Sequence, residues 1–552
     1  MPANLTSVRT VESTNSTSLQ LVEQPFSFFN YLESVDDLRG LLPLHRICSQ
    51  ARKLGAQTII TEHLRISDDV KEENADITKR FSRFSESRVW RLSFFEEKIS
   101  SLKELDKNSN KGFIGYAVVK TDILPPPLGR RTRVLESVIL KSQHENNYIR
   151  NAPKWKCCVA GRTFTVEGYL YAQQNGITNI CAHVALRTVA ARFHQNGDIS
   201  YREINDLLGI NHISKKIGWG ENKGWNENGG LETWEICKVL ETIGAECLRA
   251  TYKNPITEGN SVPFQKLLYG SIESGYPAIL CFAIQKERHA IPVFGHTFNE
   301  DIWVPSAEAL YFKVGPGTRY IPSELWTSMF ITHDDNFGSN FCIPRHYLYT
   351  RLTCGRDQQS ESPYLCPIQQ ERVFYVIATF PKLVKVNSVQ AEVIAIDYLR
   401  SILEKFSRPT SDPWIKRLRI YATNGSIVLR PILIKGLKEY GEHLRKVRNW
   451  EGDRFNNDVT KTFIQSPGDD FFWMVEISVP ELFSANNRKL GEILLKAQVP
   501  VATTRDFGNF LLTRIPGHFV FYVGGEMSNP EYRYVPCGLD NHIELYRCEK
   551  NS

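Results

Sequence analysis

The chain has 552 residues, a length typical of about three domains. Hydrophobic residues make up 42% of it and charged residues 23%, which excludes a disordered or collagen-like chain. The formal net charge of +6, from 67 basic and 61 acidic residues, is too small to indicate nucleic-acid binding by itself.

The cysteine spacing and the N-terminus indicate the compartment. None of the 12 cysteines forms a Cys-x-x-Cys pair, so nothing supports a zinc-finger or thioredoxin-like site. The first residues lack a basic stretch followed by an apolar run, and no apolar run approaches the roughly 20 residues that span a bilayer. We therefore expect a cytoplasmic protein with reduced thiols, no membrane association and neither a metal nor another cofactor.

The N-terminal part predicts a tail followed by mixed elements. Residues 1–24 are rich in Ser, Thr and Asn and predict a flexible tail. Residues 25–154 predict an α/β domain with a helix at Leu44–Leu54, and the charged segment Asp68–Lys79 is expected to be exposed. Three strands are expected, at 57–62, 89–95 and 113–120.

Residues 155–355 predict a second domain that begins with a hairpin over Cys157–Val166. Helices are expected from Cys181 onward and at 201–208, 231–244 and 263–274. Strands are expected at 278–284, 290–294 and 328–332. Residues 370–552 predict a third domain, of the α+β class, whose first strand lies at 373–379 and whose first helix lies at 388–406.

Cys181 is the candidate nucleophile. It follows the polar stretch 173–179 and opens a predicted helix, since apolar residues recur at Ala185, Val189 and Phe193. In the first turn of a helix, unpaired backbone N–H groups and the helix dipole favour a thiolate over a thiol. A cysteine on an apolar helix is more often a core residue, so this interpretation depends on the partners that follow.

His289 and Asp334 are the candidate base and the candidate orienting acid. His289 begins an apolar strand directly after a polar turn, and Asp334 stands at the end of the next predicted strand. A cysteine hydrolase needs a base beside the sulfur and a group that orients that base. Asp335 and Asn336 are alternatives for the orienting group and Asp301 is a weaker one, although the acidic pair alone is also typical of a turn.

Gln174 is the candidate donor to the oxyanion, because its amide lies shortly before the nucleophile. Gln173 competes for this role. His183 is close enough to the start of the helix to be a rival base, whereas His296 is expected to be structural.

The order of Gln174, Cys181, His289 and Asp334 resembles the papain-like superfamily, and most closely the C39-type bacterial cysteine peptidases. The resemblance covers about residues 165–350 and includes the stretches 230–236, 240–244 and 275–279. It implies a central papain-like fold, flanked here by the N-terminal α/β and C-terminal α+β domains, so that the overall fold class is α+β. It also implies that Cys181 is the nucleophile, His289 the base, Asp334 the orienting acid and Gln174 the oxyanion donor.

Two residues depart from the pattern of that group. Ala182 follows the cysteine where C39-type enzymes usually carry glycine. Pro292 interrupts the strand of His289, which indicates an edge strand or a bulge. Both departures favour an alternative in which the chain is a non-catalytic interaction protein that retains the fold.

The sequence thus predicts a cytoplasmic thiol hydrolase that cleaves an amide bond in a protein or peptide substrate. An acyl transferase or a deamidase would use the same triad. The stretch 401–450 carries 11 Lys or Arg residues, at positions from 405 to 448, against four acids. A nucleic-acid surface there is the less favoured interpretation and a solvated helix face the preferred one, because aromatic residues are sparse.

Overall fold

The computed structural model describes residues 8–13, 17–22, 28–81, 84, 87–105, 112–141, 147–195, 197–210, 230–252, 262–284, 287–298, 312–315, 318–345, 372–406, 412–446, 470–486, 489–500, 507–526 and 529–536. Within these ranges the protein belongs to the α+β class. Its helices pack on sheets of six, seven and eight strands, and two further strands form a separate hairpin.

The six-stranded sheet is formed by the N-terminal part of the chain. Its strands pair in chain order and are all antiparallel: β1 (Val8–Ser13), β2 (Thr17–Val22), β3 (Thr58–His63), β4 (Ser87–Phe95), β5 (Phe113–Ile123) and β6 (Arg130–Ile139). Three helices accompany the sheet: α1 (Phe28–Ser34), α2 (Leu42–Lys53) and α3 (Asp68–Arg80).

Two expectations for this region are wrong, and a third holds for one face of a helix only. The predicted tail 1–24 contains β1 and β2, which complete the sheet. The sheet is wholly antiparallel, so the region belongs to the α+β class rather than the α/β class. The charged segment 68–79 is helix α3, whose N-terminus is capped by the Ser67 hydroxyl; it exposes Asp68 and Lys71 as expected, but its other face buries Val70 and Ile77.

A hairpin of β8 (Lys154–Val159) and β9 (Arg162–Glu167) packs on the N-terminal sheet, as does α2. Its residues Cys157 and Phe164 share a core with Phe95 and Phe113, and the Phe164 ring lies 5.2 Å and 5.1 Å from those two rings. The predicted boundary at 154/155 is therefore wrong, because the hairpin belongs to the N-terminal core.

The seven-stranded sheet lies at the centre. Its strands are β7 (Asn147–Tyr148), β10 (Ala245–Thr251), β11 (Ala278–Ile284), β12 (Glu287–Phe298), β15 (Thr327–Asp334), β16 (Gly338–Pro344) and β17 (Arg372–Pro381). They pair antiparallel in the order β10-β17-β11-β12-β15-β16, and β7 pairs with the far end of β12. Four helices belong to this part: α4 (Cys181–Ala190), α5 (Tyr201–Leu208), α6 (Thr233–Thr242) and α7 (Phe264–Glu273).

The two faces of the central sheet carry different helices. Helices α4 and α6 share a core with Ile279, Ala290 and Ile377, whereas α7 shares another core with Leu280 and Ile291. Since side chains alternate along a strand, neighbouring residues of β11 and β12 face opposite helices. Strand β17 lies between β10 and β11, so the predicted domain boundary near 355–370 is wrong.

The eight-stranded sheet has the order β13-β14-β18-β19-β20-β21-β22-β23. These strands are β13 (Phe312–Gly315), β14 (Thr318–Pro322), β18 (Val428–Lys435), β19 (Phe471–Ser478), β20 (Gly491–Lys496), β21 (Phe510–Ile515), β22 (His518–Glu526) and β23 (Asn529–Pro536). The accompanying helices are α8 (Ser388–Lys405), α9 (Pro413–Asn424), α10 (Gly436–Lys446) and α11 (Pro480–Asn486). Short 3-10 turns occupy Leu102–Glu104, Ser323–Trp326 and Phe507–Asn509.

The central and C-terminal parts are interleaved rather than consecutive. Strands β13 and β14 come from within the predicted central domain, yet β14 pairs in parallel with β18 of the C-terminal sheet. A buried ion cluster also joins the two sheets, since Glu273 on α7 binds His296 on β12 and Arg430 on β18. Among the described helices, none combines the length and the apolar character needed to cross a membrane.

Candidate functional site

Cys181 is the first residue of helix α4. Ile180, which precedes it, has extended backbone angles (φ −133°, ψ 177°), and its carbonyl accepts the N–H groups of His183 and Val184. The N–H groups of the first turn of a helix have no acceptor within the helix. Because His183 and Val184 donate to Ile180, the N–H groups of Cys181 and Ala182 are the ones left to face an anion beside the Cys181 sulfur, and Cys181 is 8% exposed.

A tight turn fixes the chain just before Cys181. The Asn175 side-chain oxygen accepts the backbone N–H groups of Ile177, Thr178 and Asn179 at 2.7, 2.8 and 3.1 Å. The Asn179 side chain in turn accepts the N–H of Asn175 at 2.8 Å. These bonds close the turn on itself, so that the start of α4 has a single defined position.

His289 lies near the start of β12 and reaches the thiol. Its ring packs edge-on against Phe282, with the ring centroids 5.5 Å apart, and the Cys181 side chain lies close enough to raise the pKa of the imidazole. Its Nε2 atom is 3.3 Å from Asp334 Oδ2 and 3.3 Å from Asp335 Oδ1. Because Nε2 faces the two acids, Nδ1 is the ring nitrogen that remains for the Cys181 sulfur.

The charge on His289 follows from these contacts. Burial alone would lower the pKa of the imidazole, but the hydrogen bonds to Asp334 and Cys181 outweigh it and raise the pKa to about 11. The imidazolium therefore persists at neutral pH, which suits a histidine paired with a thiolate.

Asp334 is the acid whose orientation is fixed. Its Oδ1 atom accepts the backbone N–H groups of Asn336 at 2.9 Å and Phe337 at 3.1 Å, while Oδ2 faces His289. Burial raises the pKa of this carboxyl, but the bonds to His289 and to the backbone lower it below its usual value overall. Asn336 supplies its backbone N–H to Asp334, and the side chain is exposed. Asp301, the weaker rival, lies outside the described residues.

Asp335 differs from Asp334 although both approach the same nitrogen. It is 5% exposed, and neither carboxylate oxygen has a hydrogen bond to any described residue, although Oδ1 lies at ion-pair distance from His289. Burial, together with the charge of Asp334, raises the pKa of Asp335 to about 6 against the attraction of His289. Asp335 thus acts on His289 through charge, whereas Asp334 acts through an oriented bond.

The structure separates the two glutamines. Gln173 is fixed on both sides, because its Oε1 accepts the Val134 N–H at 2.8 Å and its Nε2 donates to the Asp335 carbonyl at 3.3 Å. Gln174 Oε1 is buried and has no hydrogen bond to any described residue. Of the two amides, only that of Gln174 is uncommitted in these bonds, which is what an oxyanion donor requires.

The other buried histidines near the site have separate partners. His183 Nε2 lies 2.9 Å from Asn205 Oδ1 on α5, and His296 Nε2 lies 2.7 Å from Glu273 Oε2. His333 Nδ1 accepts the Asn340 N–H at 3.0 Å, so its Nε2 donates to the Tyr169 carbonyl. Burial lowers the pKa of His333 to about 3, which keeps it neutral. His289 is therefore the histidine that the described structure brings to Cys181.

Pro292 is accommodated by a bulge inside the sheet. Strand β12 lies between β11 and β15, so it is not an edge strand, and its register with β15 shifts between Val293 and Gly295. The Pro292 carbonyl accepts the Thr332 hydroxyl at 2.5 Å. Of the two expectations for this proline, the bulge is confirmed.

Cys281 on β11 provides an internal contrast to Cys181. The two side chains are close enough to interact electrostatically, and both thiols are free. Burial raises the pKa of Cys281 to about 12, so it stays a thiol at neutral pH. The described structure thus places an inert cysteine beside the candidate nucleophile.

The acidic end of the site also has the composition of a cation site. One ligand atom from each of His289, Asp334 and Asp335 lies within 4.8 Å of the others. An imidazolium between two carboxylates explains the same arrangement without an ion, since the charges already attract. Two cavities of about 570 and 510 Å³ lie elsewhere, and their linings do not include Cys181, His289 or Asp334.

In the described part of the basic stretch 405–448, two of the arginines are bound within the fold. Arg430 is 1% exposed and donates to Glu273 inside the ion cluster. Arg419 donates to the backbone carbonyls of Leu403 and Phe406, both at 2.9 Å. Part of the positive charge therefore stabilises the fold.

Asn175 was not among the candidates, and neither was Glu73, which accepts a bond from it at 2.8 Å. The stretch Asn175-Gly-Ile-Thr-Asn179 carries a recognisable turn signal, which could have identified Asn175. Glu73 lies in a charged run about a hundred positions earlier, and no local pattern links it to the site.

Comparison with known proteins gives no relative for this chain: no family model, no curated protein and no solved structure matches it.

Proposed function

We propose that this protein is a thiol hydrolase of papain-like fold that cleaves an amide bond in a protein or peptide through Cys181. The observation that carries the proposal is the position of Cys181 at the start of α4, beside His289, whose Nε2 lies 3.3 Å from the fixed carboxylate of Asp334. A nucleophile at a helix start facing a histidine and an acid on an antiparallel sheet is the arrangement expected from the papain-like resemblance.

The proposed reaction has two steps. The Cys181 thiolate attacks the amide carbonyl and forms a C–S bond, and the C–N bond breaks as the amine leaves with the proton of the His289 imidazolium. Neutral His289 then removes a proton from water, which attacks the thioester and breaks its C–S bond, so that the carboxylic acid leaves and the Cys181 thiolate and His289 imidazolium are restored. Asp334 keeps the His289 ring oriented through both steps.

Gln174 and the backbone N–H of Cys181 are the proposed oxyanion donors. A preorganised donor of this kind contributes about 3 kcal/mol to stabilising the tetrahedral intermediate. Acyl transfer would share the first step and differ in the second, where another nucleophile replaces water. Deamidation would differ in the amide that Cys181 attacks, which is a side-chain amide rather than a peptide bond. The eight described free cysteines agree with a reducing compartment, so we propose a cytoplasmic location.

Trapping of the acyl-enzyme tests this function. The full chain is incubated with p-nitrophenyl acetate at pH 7, quenched in acid and digested, and the peptides are weighed. We expect one acetyl group on the Cys181 peptide, release of p-nitrophenolate in a burst, and slow deacylation. Cys281→Ser is the matched control, since it removes the neighbouring thiol and leaves the proposed machinery intact.

Acetylation spread over several cysteines, or a burst that persists in Cys181→Ala, would reject the proposal. In that event the non-catalytic interaction protein becomes the better interpretation. A panel of fluorogenic peptide amides then separates hydrolysis from acyl transfer in the active protein, because only transfer accelerates when a free amine is added.

A further inference from the structure

Glu73 on helix α3 lies at the centre of a buried ion cluster in the N-terminal sheet. Its carboxylate accepts a hydrogen bond from Lys120 Nζ at 2.6 Å, and Arg133 Nη2 donates to both carboxylate oxygens at 2.7 Å. Asp122 binds the same two cations, with Lys120 at 3.0 Å. The cluster therefore contains two acids and two bases, and each of these side chains is no more than 9% exposed.

Only one of the two acids reaches the central part of the molecule. Glu73 Oε1 accepts the side-chain N–H of Asn175 at 2.8 Å and lies 3.5 Å from Asn179 Nδ2. The other partner of Asp122 is the Ser87 hydroxyl, at 2.7 Å, within the N-terminal sheet. Glu73 thus binds the turn that leads directly into Cys181, and Asp122 does not touch that turn in any of these bonds.

A second contact from the N-terminal part holds the acidic half of the site. Arg46 on α2 donates to the carbonyls of Ser339 at 2.7 Å and Asn340 at 2.9 Å, and Gln50 donates to Ser339 at 2.6 Å. These residues follow the turn that contains Asp334. A Cβ added at Gly338, where φ is +120°, would come within 2.6 Å of Arg46 Cδ.

We infer that Glu73 is a positioning residue for Cys181, so that the N-terminal sheet is part of the catalytic unit. This inference rests on the proposed function. Glu73 acts by holding the Asn175 side chain, and Asn175 organises the N–H groups of the turn before α4. Charge from Lys120 and Arg133 keeps Glu73 ionised, because it lowers the pKa of the carboxyl despite burial.

The matched pair Glu73→Ala and Asp122→Ala tests the inference in the full chain. Each variant removes one carboxylate from the same two cations, so both should lower the melting temperature. We expect alkylation of Cys181 by iodoacetamide at pH 6 to slow roughly 10- to 100-fold in Glu73→Ala only, the effect of a small displacement of a reacting group. In Asp122→Ala the rate should stay at the wild-type value.

A conservative variant separates positioning from stability. Glu73→Gln keeps an oxygen that accepts the Asn175 N–H but loses the charge, so it should restore the Cys181 rate relative to Glu73→Ala while the melting temperature stays low. If Glu73→Ala does not fold, Glu73→Ala/Lys120→Met and Asp122→Ala/Lys120→Met make the same comparison, with one acid and one base left in the cluster.

The outcomes are distinguishable. Equal Cys181 rates in the Glu73 and Asp122 variants, with selective reactivity in the wild type, would overturn the inference and leave the proposed function standing. A wild-type Cys181 that reacts no faster than Cys281 would reject the proposed function itself. A rate loss that follows the melting temperature across all variants would show a merely structural role and would also overturn the inference.

Discussion

Strand β12 carries two histidines, seven positions apart, and each lies against a buried carboxylate. His296 lies 2.7 Å from Glu273, which Arg430 also binds, and its ring lies between Tyr148 and Tyr269 at 5.1 Å from each. His289 lies 3.3 Å from Asp334, and the Cys181 side chain lies close enough to raise the pKa of its ring.

The surroundings of the two rings distinguish a structural histidine–carboxylate pair from a catalytic candidate. The carboxylate of His296 is shared with an arginine, and aromatic rings enclose the imidazole, so the pair joins two sheets. His289 is 7% exposed near the start of its strand and lies beside the Cys181 thiol as well as the two acids. A histidine paired with an acid is common in cores, and the second partner decides the role.

Of the variants that test these two roles, His289→Ala is expected to have the largest effect on the rate of acylation. Removing the general base and the counter-ion of the thiolate should slow acylation of Cys181 by roughly 10²- to 10⁴-fold. The free energy of unfolding should also fall, because Asp334 and Asp335 lose their buried counter-charge, so the rate is measured well below the melting temperature. Stopped-flow release of p-nitrophenolate and thermal unfolding measure the two quantities on one preparation.

His296→Ala should lower the stability without slowing the reaction. It removes a buried hydrogen bond to a carboxylate together with aromatic packing, so we expect a loss of about 3 kcal/mol in the free energy of unfolding. The rate of acylation, measured well below the melting temperature, should equal that of the wild type. A variant that kept its stability and lost its rate would mean that the roles of the two histidines are assigned wrongly.

Gln174→Ala and its control Gln173→Ala test which glutamine donates to the oxyanion. Loss of an oxyanion donor should lower kcat roughly 100-fold in the first variant, while alkylation of Cys181, which forms no oxyanion, keeps its rate. Gln173→Ala should mainly lower the melting temperature, because Gln173 bonds with Val134 and Asp335. Equal losses of kcat in both variants would argue against Gln174 as the donor.

The two acids of His289 give a smaller contrast. Asp334→Asn should slow acylation roughly tenfold, as expected for about one pKa unit of lost support for the imidazolium. Asp335→Asn should have less effect, since Asp335 has no oriented hydrogen bond to a described residue. A larger loss in Asp335→Asn would make Asp335 the orienting acid.

The smallest effect concerns pH. The raised pKa of Asp335, about 6, means that its carboxyl is neutral in the folded protein where an ordinary aspartate is already charged. Its contribution to stability is thus present at low pH and is lost as the pH rises through about 6. The melting temperature of Asp335→Asn relative to wild type should therefore rise between pH 4.5 and 7, and a flat difference would contradict the assignment.

Local elements could be predicted from the sequence, whereas the assembly of the sheets could not. The spacing of apolar residues locates helix 201–208 and strand 278–284 at the bounds that the structure has. The alternation of the β8–β9 hairpin was equally clear. Strand β17 lies between β10 and β11, and β14 pairs in a different sheet. These pairings could not be predicted, because pairing between strands far apart in the chain leaves no periodic signal in the sequence.

The candidate site could be predicted only in part. Cys181, His289 and Asp334 each stand at the end of a helix or strand with a clear pattern, and the structure brings them together. The choice between Asp334 and Asp335, and between Gln173 and Gln174, depends on hydrogen bonds to the backbone that composition does not encode. Glu73 could not be predicted, because the sequence of a charged helix does not show whether a given charge faces solvent or a buried partner.

The pH dependence of Cys181 alkylation tests the central claim most directly. Native protein is treated briefly with iodoacetamide between pH 5 and 9, and the modified peptides are quantified by mass spectrometry for wild type and His289→Ala. If Cys181 and His289 form an ion pair, the Cys181 rate stays high at pH 6 while Cys281 is inert, and His289→Ala abolishes that advantage. A Cys181 that reacts at pH 6 no faster than Cys281, or whose rate is unchanged in His289→Ala, would contradict the account.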